Sequence, residues 1–429
     1  MKKILIVTGT PIRIDTNMGK TLQTLFSNFN KAEIIQLYFS PETPNVDMCF
    51  SYYRICEKQL IKSFFGVLTS KCGGKILPSL EGKNAIRPEK NALIFTKFKS
   101  NALMRWGREI IWNFTNWKNK NFIKWLEEEK PSVIFSIMHD VNSITETVIW
   151  IAKKYNIPVV LFVTDDYYND GEQSNNLIRK LYYKKRQSLN RELARYCTAI
   201  IGCSEKATNY FSNVLNIAKK EVIYTPSADV YLTMPYHKHD NQDIIKIRYF
   251  GNLGLGRWEI LRELGIVIQK INKKGKKAIL EVYSSVTDQN IIKALTLENG
   301  CEYKGWVYGE KYLSLLQEAD IAVHVESFDE AMIRRTWVSI STKIADYLGA
   351  GKCILAIGSR ELASIDHIKD VACIVDNLNT LEEKLLNLIS NPDLREKNQE
   401  KARSLALKFH NREKICEKVK TILNRSKDL

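Results

Sequence analysis

Short runs of apolar residues alternate with amphipathic helical patterns along most of the chain. Continuous isoleucine and valine runs of this kind are typical of parallel sheets that helices cover on both faces. The predicted strands of the first half are Ile4–Thr8, Ile34–Phe39, Val133–Met138, Val159–Val163, Ala199–Cys203 and Val222–Tyr224. Those of the second half are Ile245–Phe250, Ala278–Tyr283, Cys301–Tyr303, Ile321–Val325, Cys353–Ile357 and Ala372–Val375. The pattern predicts an α/β protein with two doubly wound parallel sheets.

Helical patterns separate the strands, and polar breaks divide the chain into domains. The predicted helices include Gly19–Phe29, Ile144–Tyr155 and Glu205–Leu215, the last with Ser204 as its N-cap. Segment 231–243 is polar and is interpreted as a linker, and the charged segment 401–429 as a terminal helix that returns to the first domain. We therefore expect Rossmann-like domains at 1–230 and 244–400, facing across a cleft at the carboxyl ends of their strands.

The chain carries a strong excess of positive charge. It has 64 lysines and arginines against 48 aspartates and glutamates, a net charge of +16. This excess favours a polyanionic partner, such as nucleic acid, anionic lipid headgroups or phosphorylated substrates, with simple solubility as the alternative. Since no nucleic-acid-binding motif accompanies the charge, no nucleic-acid partner is expected.

Cysteine and histidine patterns bear on location and metal binding. Nine scattered cysteines without a CxxC pair are typical of reduced thiols in a cytoplasmic protein. His237 and His239 lie in the predicted linker without acidic or cysteine neighbours, so no metal site is predicted. The apolar start is too short for a signal peptide, and no apolar run reaches the ~18 residues of a membrane span.

A glycine-containing segment, GTPIRIDTNMGKT, follows the first predicted strand. Ile14 stands where the P-loop pattern GxxxxGK[ST] requires glycine, so an ATPase P-loop is not expected. Gly9 and Gly19 are interpreted instead as part of a wall on the acceptor side of the cleft.

A second glycine segment, FGNLGLGRWE, opens the second domain. Gly251, Gly254 and Gly256 miss the GxGxxG spacing, which argues against a dinucleotide cofactor. The segment is either a flexible loop or a tight turn that brings Arg257 and backbone amides close to an anion near a helix N-terminus.

Polar residues follow two predicted strands of the first domain. His139 and Asp140 come after one strand, and Asp165 and Asp166 after the next. Such residues bind a metal, act as a general base, or cap the next helix, and the sequence leaves these alternatives open.

Region 101–126 contains four tryptophans at or near helical spacing: Trp106, Trp112, Trp117 and Trp125. Lysines and arginines lie among them. A basic, tryptophan-rich amphipathic helix suits an anionic membrane surface, and a helix packed on the sheet with a solvated basic face is the alternative.

The segment STKIADYLGAGKCILAIG, at 341–358, places a lysine at an unfavourable position. If Ser341 or Thr342 begins the helix, Lys343 lies in the first turn, where the helix dipole disfavours a cation. A phosphate held by Lys343 and the first-turn amides would explain this placement, with Asp346 one turn later on a ribose. The alternative is an ion pair between Lys343 and Asp346.

That segment resembles the PSKxxEYLAxGKPIxA motif of nucleotide-sugar-dependent glycosyltransferases of the family-four type, which have the GT-B fold. IRYFGNLGLGRWEIL resembles the glycine loop of the family, and YKGWVYGEKYLSLLQEADIAVHVESF its GxVxxxxLxxLxxADixVxPS stretch. In the first domain the likeness is looser and covers the opening strand, IPVVLFVTDDYY and AIIGCSEKATNYF.

The resemblance implies roles for individual residues. Arg257 and Lys343 would contact the donor diphosphate, with the Ser341 and Thr342 amides, and Asp346 would bind the ribose. The remaining donor-side candidates are Gly251, Asn252 and Gly254 in the loop, Trp306 and Val307 beside the base, and Glu326 or Glu330 near the hexose. Asn252 stands where the family often has arginine, so Arg334 or Arg335 is a candidate for the missing cation, and Val338 replaces one of two family glutamates.

The resemblance implies transfer of a sugar from a UDP- or GDP-linked donor to a glycan acceptor, with retention of configuration. The basic charge and the tryptophan-rich helix suggest a lipid-pyrophosphate-linked acceptor at the inner face of the cell membrane, as in bacterial surface polysaccharide synthesis. No cofactor or metal is expected, because protein cations can stabilise the leaving diphosphate and no DxD follows a strand. If the enzyme inverts, Asp165, Asp166 or His139 would be the base. The alternatives are a sugar-nucleotide epimerase of the same fold and a nucleic-acid-binding protein.

Overall fold

The computed structural model describes residues 2–64, 72–79, 102–169, 175–236, 244–275 and 277–427. The chain forms two compact units, one of Met1–Ile223 with Cys416–Leu429 and the other of Tyr224–Ile415. The first unit includes the chain end, where the Cys416 thiol donates a hydrogen bond to the Thr24 carbonyl (2.9 Å). Part of the predicted linker, residues 237–243 with His237 and His239, lies outside the described residues.

The first unit is built on an eight-stranded sheet. Its strands are β1 (Lys3–Thr8), β2 (Ile34–Tyr38), β3 (Ser51–Arg54), β4 (Gly74–Ile76), β5 (Pro131–Ile137), β6 (Val159–Val163), β7 (Cys197–Gly202) and β8 (Lys220–Val222). They lie in the order β4-β3-β2-β1-β5-β6-β7-β8, and only β4 runs antiparallel to its neighbour. The carboxyl ends of the parallel strands, and the loops that follow them, therefore share one edge.

The prediction located six of these strands, and its errors have a physical cause. β3 and β4 were missed because they are short and carry too few aliphatic residues to form an apolar run. The bounds of the predicted strand Val222–Tyr224 are wrong: it overlaps β8 (Lys220–Val222) only at Val222, and Tyr224 belongs to the second unit. Where the other predicted strands of this sheet differ from the structure, their bounds differ by one or two residues.

Helices of the first unit are α1 (Asn17–Leu25), α2 (Glu57–Phe64), α3 (Ala102–Phe114), α4 (Lys120–Glu129), α5 (Asn142–Tyr155), α6 (Leu177–Ala194) and α7 (Glu205–Leu215). Ser204 caps α7 by accepting a hydrogen bond from the Ala207 N–H (3.0 Å), as predicted. The predicted helix Gly19–Phe29 ends earlier, at Leu25.

The tryptophan-rich region forms α3 and α4, and its tryptophans pack inward. Trp112, Trp117 and Trp125 are 2%, 6% and 1% exposed. Trp106 donates its indole N–H to the Ile178 carbonyl (3.1 Å) of α6. Trp112, Trp117 and Trp125 are therefore held inside the unit, which favours the packed-helix alternative for these three, whereas Trp106 is partly exposed.

A six-stranded, fully parallel sheet forms the second unit. Its strands are β9 (Ile245–Phe250), β10 (Ala278–Tyr283), β11 (Cys301–Gly305), β12 (Ile321–Val325), β13 (Cys353–Ile357) and β14 (Cys373–Val375). Their order is β11-β10-β9-β12-β13-β14. β9 pairs with β12, although they are distant in sequence, and this crossover places the loops after β9 and β12 side by side.

Later helices are α8 (Asp229–Leu232), α9 (Arg257–Lys273), α10 (Gln289–Ala294), α11 (Gly309–Gln317), α12 (Glu330–Thr336), α13 (Thr342–Gly349), α14 (Ala363–His367), α15 (Leu381–Ser390), α16 (Pro392–Phe409) and α17 (Arg412–Lys427). Two apolar clusters cover the two faces of the sheet. Among the described residues, no helix combines the length and hydropathy needed to cross a membrane.

Two imidazoles meet inside the second unit. The His367 and His410 Nε2 atoms lie 2.8 Å apart, and His410 Nδ1 lies 2.7 Å from the Thr225 carbonyl oxygen. Since a carbonyl only accepts, we assign the His410 proton to Nδ1, which makes its Nε2 the acceptor from His367. Burial lowers the pKa of His410 to about 4 and that of His367 to about 3.

The histidine pair should make the second unit sensitive to acid. Both pKa values lie below the ordinary value in the unfolded chain, so stability is complete above about pH 6.5 and falls as the pH drops toward 4. Between about pH 7 and pH 5, His410 alone should lower the free energy of unfolding by about 2 kcal/mol, with a further loss from His367. Urea unfolding at the two pH values measures the difference. A His367→Gln/His410→Gln variant should show a flatter profile, and an equal slope in both proteins would contradict this assignment.

Candidate functional site

The loop between β9 and α9 is a fixed turn. Leu255 and Gly256 both have left-handed backbone conformations, with φ of 60° and 74°. A Cβ on Gly256 would lie 2.7 Å from Ser327 Oγ, so only glycine fits this close approach. Asn252 Oδ1 accepts a hydrogen bond from the Gly254 N–H (2.5 Å). The turn therefore places the start of α9 directly after β9.

Gly251 opens this turn under the side chain of a buried tyrosine. A Cβ on Gly251 would lie 2.9 Å from Tyr249 Oη. The same hydroxyl donates to the Asn252 carbonyl (2.6 Å). Asn252 thus stabilises the loop through both its side chain and its backbone. It supplies no cation at the position where the family resemblance leads one to expect an arginine.

Arg257, the first residue of α9, is held by Glu326 at the end of β12. Its Nη2 lies 3.0 Å from Oε1 and 2.9 Å from Oε2 of Glu326, and its Nε lies 3.1 Å from Oε2. Glu326 is 4% exposed and Arg257 remains partly exposed. Burial raises the pKa of Glu326, and the guanidinium opposes that rise. Because both of its oxygens bind Arg257, Glu326 positions the arginine, which differs from the predicted hexose contact.

A neutral histidine lies beside this pair. His324 Nε2 is 3.7 Å from Glu326 Oε1, and the imidazole is 4% exposed. Burial, followed by the charge of Arg257, lowers the pKa of His324 to about 3. The imidazole is therefore uncharged at neutral pH and does not compete with Arg257 for the carboxylate.

Lys343 lies in the first turn of α13, as predicted. Ser341 is the N-cap residue, but its side chain makes no capping hydrogen bond, and Thr342 is the first helical residue. Lys343 Nζ lies 3.3 Å from Asp346 Oδ2, which is the ion pair that sequence analysis gave as the alternative. The start of α13 thus combines a partly exposed ammonium with amides that no side chain caps.

Tyrosines that the sequence did not single out organise this helix end. Tyr312 Oη donates to Asp346 Oδ2 (3.0 Å), and Lys343 Nζ lies 4.1 Å from the centre of the Tyr312 ring. Burial and the nearby Asp346 carboxylate raise the pKa of Tyr312 well above its ordinary value, so the hydroxyl remains a donor. Helical spacing gave Tyr312 the pattern of an ordinary core residue, and no signal in the sequence linked it to Asp346.

The end of β9 connects the two helix starts. The Phe250 N–H donates to Tyr347 Oη (3.3 Å) on α13, and the Phe250 ring packs on Tyr312 with centroids 4.9 Å apart. Gly251 and the fixed turn follow immediately. Arg257, Lys343 and Asp346 therefore lie at one edge of the second sheet.

Other predicted donor-side residues lie further out. Trp306 follows the edge strand β11 and is 55% exposed, whereas Val307 packs against the core. Glu330 and Arg334 pair with each other on the surface of α12 (3.1 Å). Glu330 therefore balances the charge of Arg334 within the same helix. Arg335, the next residue, is exposed.

In the first unit, the aspartates after β6 serve their own loop. The Asp166 carboxylate accepts hydrogen bonds from the Tyr168 N–H (3.2 Å), the Asn169 N–H (2.9 Å) and the Asn169 side-chain amide (2.8 Å). Asp165 Oδ2 accepts one from the Thr164 hydroxyl (3.1 Å). These contacts shape the loop after β6, whereas the next helix, α6, is capped by Asn176.

The glycines of the first unit sit in tight surroundings. A Cβ on Gly9 would lie 3.3 Å from His139 Cε1, which places this loop against the histidine after β5. A Cβ on Gly19 would lie 2.1 Å from the Arg13 carbonyl oxygen, so only glycine fits there. Both glycines shape the loop between β1 and α1 at the carboxyl edge of the sheet.

A buried arginine, which sequence reasoning missed, joins the loops after β5 and β6. Arg186 is 1% exposed and donates to the Asp140 carbonyl, the Tyr167 carbonyl (3.2 Å) and Asn142 Oδ1 (3.3 Å). It holds together the loops that carry His139, Asp165 and Asp166. Among the described residues, no group of three or more histidines, cysteines, aspartates or glutamates could hold a metal ion.

Residues 266–421 match a family model described as glycosyl transferase-like, which covers most of the second unit. No curated protein sequence matches the chain. The chain is also similar in fold to sucrose-phosphate synthase from Thermosynechococcus elongatus, with a TM-score of 0.61, 11% identity and 99% of each chain covered. The chain therefore carries a glycosyl transferase-like region in its second unit, and its fold is that of GT-B proteins.

Two further solved structures resemble this chain over its length. The trehalose-6-phosphate protein from E. coli bound with UDP-2-fluoro glucose has a TM-score of 0.63 and 10% identity, over 100% of this chain and 99% of that one. The UDP-forming α,α-trehalose-phosphate synthase from Burkholderia xenovorans in complex with glucose-6-phosphate has a TM-score of 0.58 and 9% identity, over 100% of each chain. At this identity the likeness supports the fold, which confirms the predicted two-sheet architecture.

Removing Glu326 should destabilise the protein, because Arg257 would lose the carboxylate that balances its charge. We expect Glu326→Ala to lower the free energy of unfolding by about 2–3 kcal/mol, less than for a fully buried pair because Arg257 is partly exposed. Urea unfolding measures this change. Glu330→Ala, which breaks the surface pair with Arg334, is the matched control and should cost less than about 0.5 kcal/mol. Equal losses in the two variants would contradict the positioning role of Glu326.

Proposed function

We propose that the protein is a glycosyltransferase and that it binds a nucleoside diphosphate sugar at the carboxyl edge of its second sheet. The observation that carries this proposal is the placement of two cations, Arg257 and Lys343, in the first turns of α9 and α13. Helix α9 directly follows β9, and α13 comes after α12 in the connection that follows the neighbouring parallel strand β12. Helix N-termini offer amide hydrogens and a positive dipole end to an anion, and a diphosphate spans two such positions.

The ion pair of Lys343 is compatible with this role. An i,i+3 pair on a helix is worth only about 0.2–0.5 kcal/mol, so a diphosphate can replace Asp346 as the partner of Lys343. Asp346 would then accept hydrogen bonds from the ribose hydroxyls while it keeps the one from Tyr312. Tyr312 supports both residues, since its ring lies under the ammonium and its hydroxyl holds the carboxylate.

The chemistry follows from where charge develops. As the glycosidic bond of the donor breaks, the leaving diphosphate gains negative charge, and cations aimed at it stabilise the transition state more than the ground state. Arg257 needs little rearrangement for this, because Glu326 already fixes its guanidinium. We propose retention of configuration, with the departing phosphate helping to remove the acceptor proton, since the Asp166 carboxylate already accepts three hydrogen bonds from its own loop.

UDP is the first nucleotide to test. The E. coli neighbour is bound with UDP-2-fluoro glucose and the Burkholderia enzyme is UDP-forming. Trp306, exposed after the edge strand β11, offers a flat surface on which a base can stack. Val307 is fixed in the core beside it and would hold the backbone at that position.

We propose a lipid-pyrophosphate-linked glycan as the acceptor, in surface polysaccharide synthesis, with the first unit as its binding part. The net charge of +16 supports a polyanionic acceptor. A soluble sugar phosphate is the second candidate, because the Burkholderia neighbour was captured with glucose-6-phosphate.

Loss of either side chain at the start of α13 should abolish donor binding. UDP-sugars should raise the melting temperature of the wild-type protein, and Lys343→Ala and Asp346→Ala should remove that shift. Without ligand, Lys343→Ala should leave the melting temperature nearly unchanged, whereas Asp346→Ala should lower it because the Tyr312 hydroxyl loses its acceptor. Lys369→Ala is the matched control, since Lys369 forms a similar surface pair with Asp366 (3.1 Å). Retained binding in both α13 variants would show that the donor site lies elsewhere.

Product analysis should separate transfer from the alternative reactions. With a UDP-sugar and a polyprenyl-pyrophosphate-linked acceptor, we expect release of UDP and a product that keeps the anomeric configuration of the donor, as read by NMR. Glucose-6-phosphate in place of the lipid tests the second acceptor class. A changed UDP-sugar in the absence of any acceptor would identify an epimerase instead, and an inverted product would reject the retaining mechanism.

A further inference from the structure

Helix α3 exposes apolar side chains on one side and buries a carboxylate on the other. Leu103, Ile110 and Phe114 recur at a spacing that places them on one side of the helix, and they are 64%, 48% and 77% exposed. Met104, beside Leu103, is 41% exposed. The opposite side buries an acidic residue, Glu109, at 1% exposure. A helix that buries a carboxylate and exposes its apolar side is unusual for a surface that faces only water.

Burial of Glu109 shows that this orientation is specific. Tyr182 Oη donates to Glu109 Oε1 (3.2 Å), and Lys185 Nζ lies 3.5 Å from Oε2. On the same inward side, Trp106 donates to the Ile178 carbonyl of α6 (3.1 Å). These polar contacts fix the rotation of α3 about its axis, and the side with Leu103, Ile110 and Phe114 therefore points outward.

The first turns of α6 extend the apolar surface. Leu177, Ile178 and Leu181 are 70%, 38% and 54% exposed, and the contact between Trp106 and Ile178 places them next to α3. We call the surface formed by Leu103, Met104, Ile110, Phe114, Leu177, Ile178 and Leu181 the α3–α6 face.

The described charges on α3 and on the first turns of α6 are mostly positive, and two carboxylates of neighbouring helices pair with them: Glu57 with Arg108, and Glu146 with Lys185 (2.8 Å). Within the described segments 102–114 and 175–191, Glu109 is the sole acidic residue, and it is buried. Lys180 and Lys184 are exposed on α6, one turn apart. An apolar surface with a cationic border matches a bilayer that carries anionic headgroups, since the side chains enter the acyl boundary while the lysines reach the phosphates.

We propose that the α3–α6 face docks the protein on an anionic lipid bilayer. Membrane contact was predicted through the tryptophans of this region; in the structure the tryptophans anchor α3 internally and the aliphatic and phenylalanine side chains face outward. The inference rests on the proposed function for the identity of the lipid-linked acceptor, whereas the face itself is a property of the first unit.

Vesicle sedimentation tests the proposal on the full-length protein. We expect wild type to bind vesicles of phosphatidylcholine with phosphatidylglycerol and to bind pure phosphatidylcholine weakly. Leu103→Gln/Ile110→Gln/Phe114→Gln should reduce the partition coefficient by more than about tenfold. Lys180→Gln/Lys184→Gln should reduce it about fivefold per lysine at low salt, and less at higher salt.

Matched variants on α16 serve as controls. Leu407→Gln removes an apolar side chain of comparable exposure, 48%, and Lys397→Gln/Lys401→Gln removes two exposed lysines one turn apart. Both should bind vesicles like wild type. Equal losses in the α3 and α16 variants, or no binding of wild type to the anionic vesicles, would overturn the proposal.

Two further measurements distinguish other outcomes. If the protein is a dimer in sedimentation equilibrium that the triple variant converts to a monomer, without vesicle binding by wild type, the face is an interface between copies and the membrane proposal fails. A UDP-sugar thermal shift on the same samples reports on the donor site separately. A protein that binds vesicles but no UDP-sugar would refute the proposed donor function and leave the docking face intact.

Discussion

The parallel pairing of β9 with β12 is the constraint on which the candidate site depends. These strands are far apart in sequence, yet Ile247 lies opposite Ile321 and Tyr249 opposite Val323 in the sheet. Their carboxyl ends therefore share an edge, and the loops that follow them are neighbours. Without that pairing, Arg257 after β9 would have no access to Glu326 after β12. The site is thus a product of strand order.

Two pairs of side chains then prepare this edge for an anion. Glu326, buried and bidentate on Arg257, fixes a guanidinium at the start of α9. Tyr312, through its ring and its hydroxyl, holds Lys343 and Asp346 at the start of α13. The two arrangements differ in strength. The first is buried and rigid, which suits a permanent element, whereas the second is partly exposed and weak enough to rearrange around a ligand.

The first unit uses buried charge for a different purpose. Arg186 joins the loops after β5 and β6 through backbone carbonyls, and Glu109 fixes the rotation of α3 through Tyr182. In each case a polar group is satisfied inside the unit, as buried polar groups must be, and the orientation of the surrounding element follows. For α3 the result is an apolar side that faces outward.

Much of the fold could be predicted from the sequence alone. Buried parallel strands appear as continuous apolar runs, so ten or more of the strands, the two-sheet architecture and the cap at Ser204 are determined locally. The position of Lys343 in a first helical turn follows from the same local pattern. The short strand β4 escaped because three residues are too few to form a pattern.

Only the tertiary structure decided the partners of these residues. Sequence spacing indicated that Lys343 and Asp346 share a helix face, but it carried no information that Tyr312 would contact both of them or that Glu326 would hold Arg257. It also left the rotation of α3 open, because apolar residues occur on both sides of that helix. Such contacts depend on which strands and helices become neighbours, and that is fixed by packing of the whole unit, which no local pattern encodes.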